Sequence, residues 1–121
     1  MEILKDNVNS VTVARCRGRM DGASTEKVHE DIVPILLDRR PVLLDFTGVS
    51  HISEAGLRTL LAVYRQAQAV DGKVALVGLS TELHEVLSAT GFLRFFVIAQ
   101  DVEAGVAALA ENPGVDQEVV A

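Results

Sequence analysis

The sequence has no tryptophan, one tyrosine and a single cysteine, Cys16. One cysteine cannot form a disulfide within the chain, and we therefore expect a reducing, cytoplasmic environment. So few aromatic side chains argue against a base-stacking surface for single-stranded nucleic acid. Basic residues are also in the minority, because 11 Lys and Arg face 17 Asp and Glu, for a net charge of −6. Phosphate recognition requires a basic face, so we expect no nucleic-acid partner.

Long apolar runs and metal-ligand spacings are missing as well. No stretch approaches the roughly 20 apolar residues of a membrane span, and the N-terminus lacks the pattern of a signal peptide, so we expect no membrane insertion. His29, His51 and His84 are scattered singly, without a second ligand at a typical spacing, which predicts no metal site. No glycine-rich phosphate loop is present. We accordingly expect no cofactor.

What remains is the composition of an ordinary globular domain, with 49% hydrophobic and 23% charged residues among 121. Strand-like and helix-like periodicities alternate in the order β β α β α β α β α. This order predicts an α/β fold, a mixed and mostly parallel sheet flanked by about four helices. We expect one domain over residues 1–110 and a flexible C-terminal tail over residues 111–121.

Local signals set the predicted boundaries. Ser24, Ser80 and Asp101 are expected to cap helices. Pro34 lies within the first helical pattern and predicts a kink there or two short helices, whereas Asp71–Gly72 is expected to end the second helix, with the glycine left-handed. A loop is predicted over Thr47–Ile52. The expected core includes Leu43, Leu60, Leu61, Leu76, Val77, Leu87 and Ile98.

The most informative segment joins an apolar strand to an amphipathic helix. It begins at Val42, carries Asp45 at the end of the apolar run and continues into a helix after Ser53. Its order and spacing resemble the signature of STAS domains, the family of the anti-sigma factor antagonists, at Asp45, Thr47, Val49, Ile52, Gly56 and Leu57. Gly18–Asp21, Lys73–Gly78 and Thr90–Phe92 are similar to further family motifs, and the resemblance covers about residues 2–110.

The resemblance implies a non-enzymatic, protein-binding regulator. In such antagonists a serine at the start of the second helix is phosphorylated by a partner anti-sigma kinase, and Glu54 occupies that position here. Glu54 is either a fixed charge that weakly imitates phosphate or an ordinary carboxylate in a first helical turn. The implied partner is an anti-sigma factor or serine-kinase-like protein, bound by a monomer or weak dimer. The implied contact residues are Asp21, Thr47, Ser50, His51, Ser53, Glu54 and Arg58.

Two other functions remain open from the sequence. The chain could be a STAS scaffolding subunit of a transport or stress-signalling complex, which would associate stably with a partner that is not a kinase. It could also be a small-ligand or nucleotide-binding module, although the missing phosphate loop argues against it. A nucleotide-dependent rise in melting temperature would reveal such a module.

Overall fold

The computed structural model describes residues 1–111, so nearly all of the predicted tail lies outside the described residues. These residues form five strands and four α-helices in the predicted order, with short 3₁₀ turns at Gly22–Ser24 and Phe92–Phe95. The strands are β1 (Glu2–Val8), β2 (Val11–Met20), β3 (Val42–Ile52), β4 (Val74–Val77) and β5 (Val97–Ala99). The helices are α1 (Thr25–Leu37), α2 (Glu54–Ala69), α3 (Thr81–Thr90) and α4 (Val102–Glu111).

The strands form one sheet in the order β1-β2-β3-β4-β5. β1 pairs antiparallel with β2, and every later pairing is parallel, which confirms the predicted mixed sheet. Asn9 and Ser10 join β1 to β2 with φ values of 51° and 69°. Positive φ at both residues is typical of the two-residue hairpin turns whose twist matches that of the strands.

The sheet separates two apolar layers. Alternate residues of the central strands, such as Leu44 and Leu76, pack with α1, α2 and α3 in the larger layer. Their neighbours Leu43 and Val77 face the other way and pack with Val106 and Leu109 of α4. Both faces are covered at β4 and at the first residues of β3, and these segments, Val74–Val77 and Val42–Leu44, are accordingly apolar throughout.

Most of the predicted core is confirmed, with two exceptions. Leu61 is only half-buried and Ile98 is 40% exposed. Ile98 lies on β5, a three-residue strand at the edge of the sheet, where one flank of the strand has no neighbour. In α2, Thr59 and Val63 are buried and Leu61 is not, so the buried face of the helix is turned slightly from the one that Leu60 and Leu61 together predict.

The predicted N-terminal caps are confirmed at α3 and α4. The Ser80 hydroxyl accepts a hydrogen bond from the backbone N–H of Leu83 at 3.1 Å, and the Asp101 carboxylate accepts one from Ala104 at 2.9 Å. The prediction for Ser24 was wrong, because its side chain forms no cap bond to α1 and instead donates to the carbonyl of Arg19 at 2.7 Å.

Two predictions about helix interruption also need correction. Of the two outcomes predicted at Pro34, division into two helices is wrong, because α1 continues through Pro34 as one helix. Pro34 and Glu30 are both exposed, so water can solvate the carbonyl that loses its helical hydrogen bond. After α2 the left-handed residue is Asp71, with φ 56°, and not Gly72. The N–H of Gly72 donates to the carbonyl of Ala67 at 2.7 Å and completes the helix end.

Candidate functional site

The segment predicted as a loop is the second half of β3. Residues 48–52 pair with Arg17–Met20 of β2, through two register shifts that each insert one extra residue in β3. Such β-bulges bend a strand and redirect its side chains. Val49 and Ile52 are buried and anchor the segment, whereas Ser50 and His51 are exposed. The predicted contact residues Ser50 and His51 therefore lie on a paired strand whose backbone is held in place.

The start of α2 is attached to the end of β2 by backbone contacts. The N–H of Ser53 donates to the carbonyl of Met20 at 2.9 Å. The Ser53 hydroxyl accepts from the N–H of Gly56 at 3.1 Å and so acts as the N-cap of α2. A side chain at Gly56 would overlap the carbonyl oxygen of Met20, so only glycine fits this close approach.

Glu54, the first residue of α2, projects into solvent. Its side chain is 88% exposed, and its carboxylate lies 3.7 Å from the guanidinium of Arg58 one turn later, itself 68% exposed. Both the helix dipole and this i,i+4 pair favour a negative charge at the position. Ser53 is only half-buried and already bonded to the helix backbone, which leaves Glu54 and Arg58 as the most exposed polar groups at the start of α2.

Asp21 lies beside this helix start. It caps the 3₁₀ turn after β2, since its carboxylate accepts from the N–H of Ala23 at 3.1 Å. The guanidinium of Arg19 is 3.9 Å away. An added Cβ at Gly22, the next residue, would lie only 3.6 Å from the Cβ of Ala55, so this turn packs directly on the first turn of α2. The structure thus brings Asp21 close to the Ser53–Arg58 segment.

Thr47 is placed differently from the other predicted contact residues. Its hydroxyl donates to the carboxylate of Asp45 at 2.6 Å, and its N–H donates to the same oxygen at 2.9 Å. Asp45 also lies 3.8 Å from the guanidinium of Arg15. A side chain at Gly78, after β4, would overlap the hydroxyl of Thr47. Thr47 therefore belongs to a polar cluster between β2, β3 and the end of β4, and its hydroxyl is not directed to α2.

A groove that no local sequence pattern predicts lies between α1 and α2. It has a volume of about 220 Å³ and is lined by Thr25, His29, Ala55, Arg58, Thr59 and Ala62. Thr25 and Thr59 share a hydrogen bond of 2.8 Å across it. They are 34 residues apart in the chain, so no local pattern could reveal the contact. A second cleft, of about 350 Å³, lies at the ends of β4 and β5 beside His84 and Ile98.

The described residues offer little for chemistry by metals or nucleophiles. Over residues 1–111, no three metal-ligating side chains lie close enough to hold an ion. Cys16 is buried, and that burial, with a smaller contribution from the charge of Asp45, raises the pKa of its thiol from 9.0 to about 12. Such a thiol stays protonated and is a poor nucleophile. Within the same residues, no helix combines the length and the apolar character needed to cross a bilayer.

Comparison with known proteins agrees with this geometry. The STAS domain family model matches residues 2–105. A Bordetella bronchiseptica protein named as an anti-sigma factor antagonist, BtrV, is 31% identical over 109 residues, which cover 89% of this chain and 94% of that protein.

Two solved structures have the same fold. An anti-sigma factor antagonist from Mycobacterium paratuberculosis superposes with a TM-score of 0.79 at 18% identity, over 90% of this chain and 93% of that one. The Bacillus cell fate determinant SpoIIAA in its phosphorylated form superposes with a TM-score of 0.67 at 21% identity, over 85% and 96% of the two chains. The five-stranded mixed sheet with four helices is the STAS fold, and the chain belongs to the STAS domain family, in its anti-sigma factor antagonist branch.

Proposed function

We propose that this chain is a regulatory antagonist that binds an anti-sigma factor of the serine-kinase type through the start of α2, and that Glu54 supplies a permanent negative charge there. The α2-start surface is defined here as Asp21, Ser50, His51, Ser53, Glu54 and Arg58. Thr47, whose hydroxyl is used by Asp45, shapes the neighbouring part of β3 without contacting the partner directly.

The observation that carries the proposal is the exposure of Glu54. Its side chain is 88% exposed at the first residue of α2, the position at which the family resemblance implies a phosphorylated serine. The neighbouring hydroxyl of Ser53 is committed to the N–H of Gly56 and so is poorly presented to a kinase. BtrV is named as an anti-sigma factor antagonist, and SpoIIAA has been solved in a phosphorylated form, which supports control of such antagonists by an added negative charge.

The smaller charge of a carboxylate limits how far Glu54 can imitate a phosphate. A carboxylate carries one negative charge and two acceptor oxygens, whereas a phosphate carries about −1.5 to −2 and three oxygens. Glu54 therefore imitates the phosphorylated state only in part. The chain binds its anti-sigma factor more weakly than an antagonist with a neutral residue there, and a kinase cannot switch it further at position 54.

The test uses wild type, Glu54→Ser and Glu54→Ala, each incubated with ATP and, one at a time, with the purified serine-kinase anti-sigma factors encoded in the same genome. Mass spectrometry maps phosphate, and calorimetry gives the affinity. We expect no phosphate over residues 51–58 of wild type, a new phosphoserine in Glu54→Ser, and tighter binding by Glu54→Ala, because the repulsive charge is removed.

Glu103→Ala is the matched control, since Glu103 is likewise an exposed carboxylate in a first helical turn but belongs to α4, on the other face of the sheet. This variant should bind as wild type does. Stoichiometric phosphate on wild-type Ser53, or one affinity shared by all the variants, would contradict the proposal. Stable binding of a protein that is not a kinase would favour the scaffolding function instead.

A further inference from the structure

The groove between α1 and α2 opens beside the α2-start surface. Ala55 and Arg58, which line it, are neighbours of Glu54 along α2, and His29 faces them from α1. Its volume of about 220 Å³ can hold one extended side chain, since a water molecule occupies about 30 Å³ of liquid. The side chains of Ala55 and Ala62 are small, and they leave space in the groove that larger side chains would fill.

The hydrogen bonds in the groove decide what kind of group it can take. The Thr59 hydroxyl lies 3.0 Å from the carbonyl of Ala55 and 2.8 Å from the hydroxyl of Thr25. A carbonyl can only accept, so the Thr59 proton points to Ala55, and Thr25 must donate its own proton to Thr59. Neither threonine has a proton left for a ligand. The donors that remain are the guanidinium of Arg58 and the ring N–H of the half-buried His29.

A group that only accepts hydrogen bonds and carries negative charge fits these donors best. The planar guanidinium of arginine binds a carboxylate through two parallel hydrogen bonds. In the structure Arg58 does not make that arrangement with Glu54, because the nearest nitrogen and oxygen are 3.7 Å apart and both side chains are largely exposed. This distance is too long for a hydrogen bond. Glu54 thus attracts the guanidinium by charge without forming hydrogen bonds to it, and a better-placed carboxylate would compete for the same group.

We infer that the α1–α2 groove receives an aspartate or glutamate side chain of the anti-sigma factor, and that Glu54 competes with this carboxylate for Arg58. The inference rests on the proposed function and deepens it. The charge at position 54 acts in two ways, by direct repulsion of the partner and by holding the one guanidinium that the partner's carboxylate needs. A neutral residue at position 54 frees Arg58 to turn into the groove.

A double-mutant cycle on partner binding tests this competition. The variants are Glu54→Ala, Arg58→Ala, the double variant, and Arg65→Ala as control, since Arg65 is exposed two turns further along the same helix and does not line the groove. We expect Glu54→Ala to tighten binding about two- to fivefold, as for one exposed ion pair. In the Glu54→Ala background, Arg58→Ala should weaken binding about tenfold, and less so in wild type. Arg65→Ala should leave affinity unchanged.

A second probe does not depend on the anti-sigma factor. N-acetylglutamate amide and its uncharged match, N-acetylglutamine amide, are titrated into ¹⁵N-labelled Glu54→Ala. The glutamate probe should shift the amide signals of residues around His29 and Arg58, and the shifts should be lost in the double variant.

The two experiments separate the inference from the proposed function. If no anti-sigma factor binds, the proposed function fails, and the glutamate titration alone decides on the groove. If an anti-sigma factor binds and Glu54→Ala tightens it, but Arg58→Ala has the same effect in both backgrounds, the competition is refuted while the proposed function stands. Equal shifts with the glutamine probe would also overturn the inference, because the groove would then not select for charge.

Discussion

Gly56 is the residue at which α2 touches the end of β2, and replacing it by alanine is the sharpest test of how the site is built. A Cβ there would overlap the carbonyl oxygen of Met20, lie 2.8 Å from the carbonyl carbon and lie 3.0 Å from Cγ1 of Ile52. Met20 is buried and its strand pairs with β3, so its backbone cannot shift without disturbing the sheet. In Gly56→Ala, α2 itself must shift, which lengthens the 2.9 Å hydrogen bond from Ser53 to Met20.

The expected magnitude follows from three contributions. Overpacking of this kind destabilises by about 1–3 kcal/mol. The weakened hydrogen bond adds about 1 kcal/mol, and the higher helix propensity of alanine returns about 1 kcal/mol. The net loss is about 1–3 kcal/mol, and at roughly 4 °C per kcal/mol for a domain of this size the melting temperature should fall by about 4–12 °C. Circular dichroism during heating, with urea unfolding as a second measure, reports both quantities.

Gly22→Ala is the matched control, on the other side of the same contact. Its Cβ would meet only the Cβ of Ala55, at 3.6 Å, which is an ordinary van der Waals distance. The change in stability should stay within about 0.5 kcal/mol. The reasoning is refuted if Gly56→Ala melts at or above the temperature of wild type, or if Gly22→Ala loses as much stability as Gly56→Ala does.

Two further predictions concern Cys16 and Ser80. Because burial raises the pKa of the Cys16 thiol from 9.0 to about 12, iodoacetamide should leave it unmodified in the folded chain at mildly alkaline pH and alkylate it in urea, as read by mass spectrometry. The unfolded thiol ionises near 9.0, so the contribution of the neutral Cys16 thiol to stability is complete below that pH and declines as the pH rises toward 12. A Cys16→Ala variant should lack this part of the decline. Ser80→Ala should lower the free energy of unfolding by about 1 kcal/mol, because the N-cap bond to Leu83 is lost. Ser88→Ala, at an exposed interior position of the same helix, should have little effect, and equal losses in the two serine variants would argue against capping.

The order of strands and helices was predictable because each element carries its own period. Ser53 and Ser80 were likewise predictable as the residues before α2 and α3, since an N-cap bond spans only three residues. The place of Glu54 at the start of α2 was predictable from its spacing to Gly56. Its ion pair with Arg58 was predictable because the two residues lie one helical turn apart. These features depend on neighbours within one helical turn.

The errors at β3, at the buried face of α2 and at Ile98 involve contacts between distant parts of the chain. Gly48, Ser50 and His51 have low strand propensity, and only pairing with β2 makes them part of β3. Gly56 lies on the buried face of α2 against the backbone of Met20, and a hydrophobic period cannot reveal so close an approach. Ile98 is apolar, yet its place on an edge strand leaves it 40% exposed.

By itself, the sequence determined the element order, the caps at Ser53, Ser80 and Asp101 and the charge at Glu54, because a periodic face or a capped first turn depends on side chains that lie within a few residues of one another. Only the tertiary structure decided that the second half of β3 pairs with β2, that Asp21 lies beside the start of α2, and that a groove lies between α1 and α2. Each of these depends on how closely two distant backbones approach. That distance is set by the packing of the whole core, through contacts such as the hydrogen bond between Thr25 and Thr59.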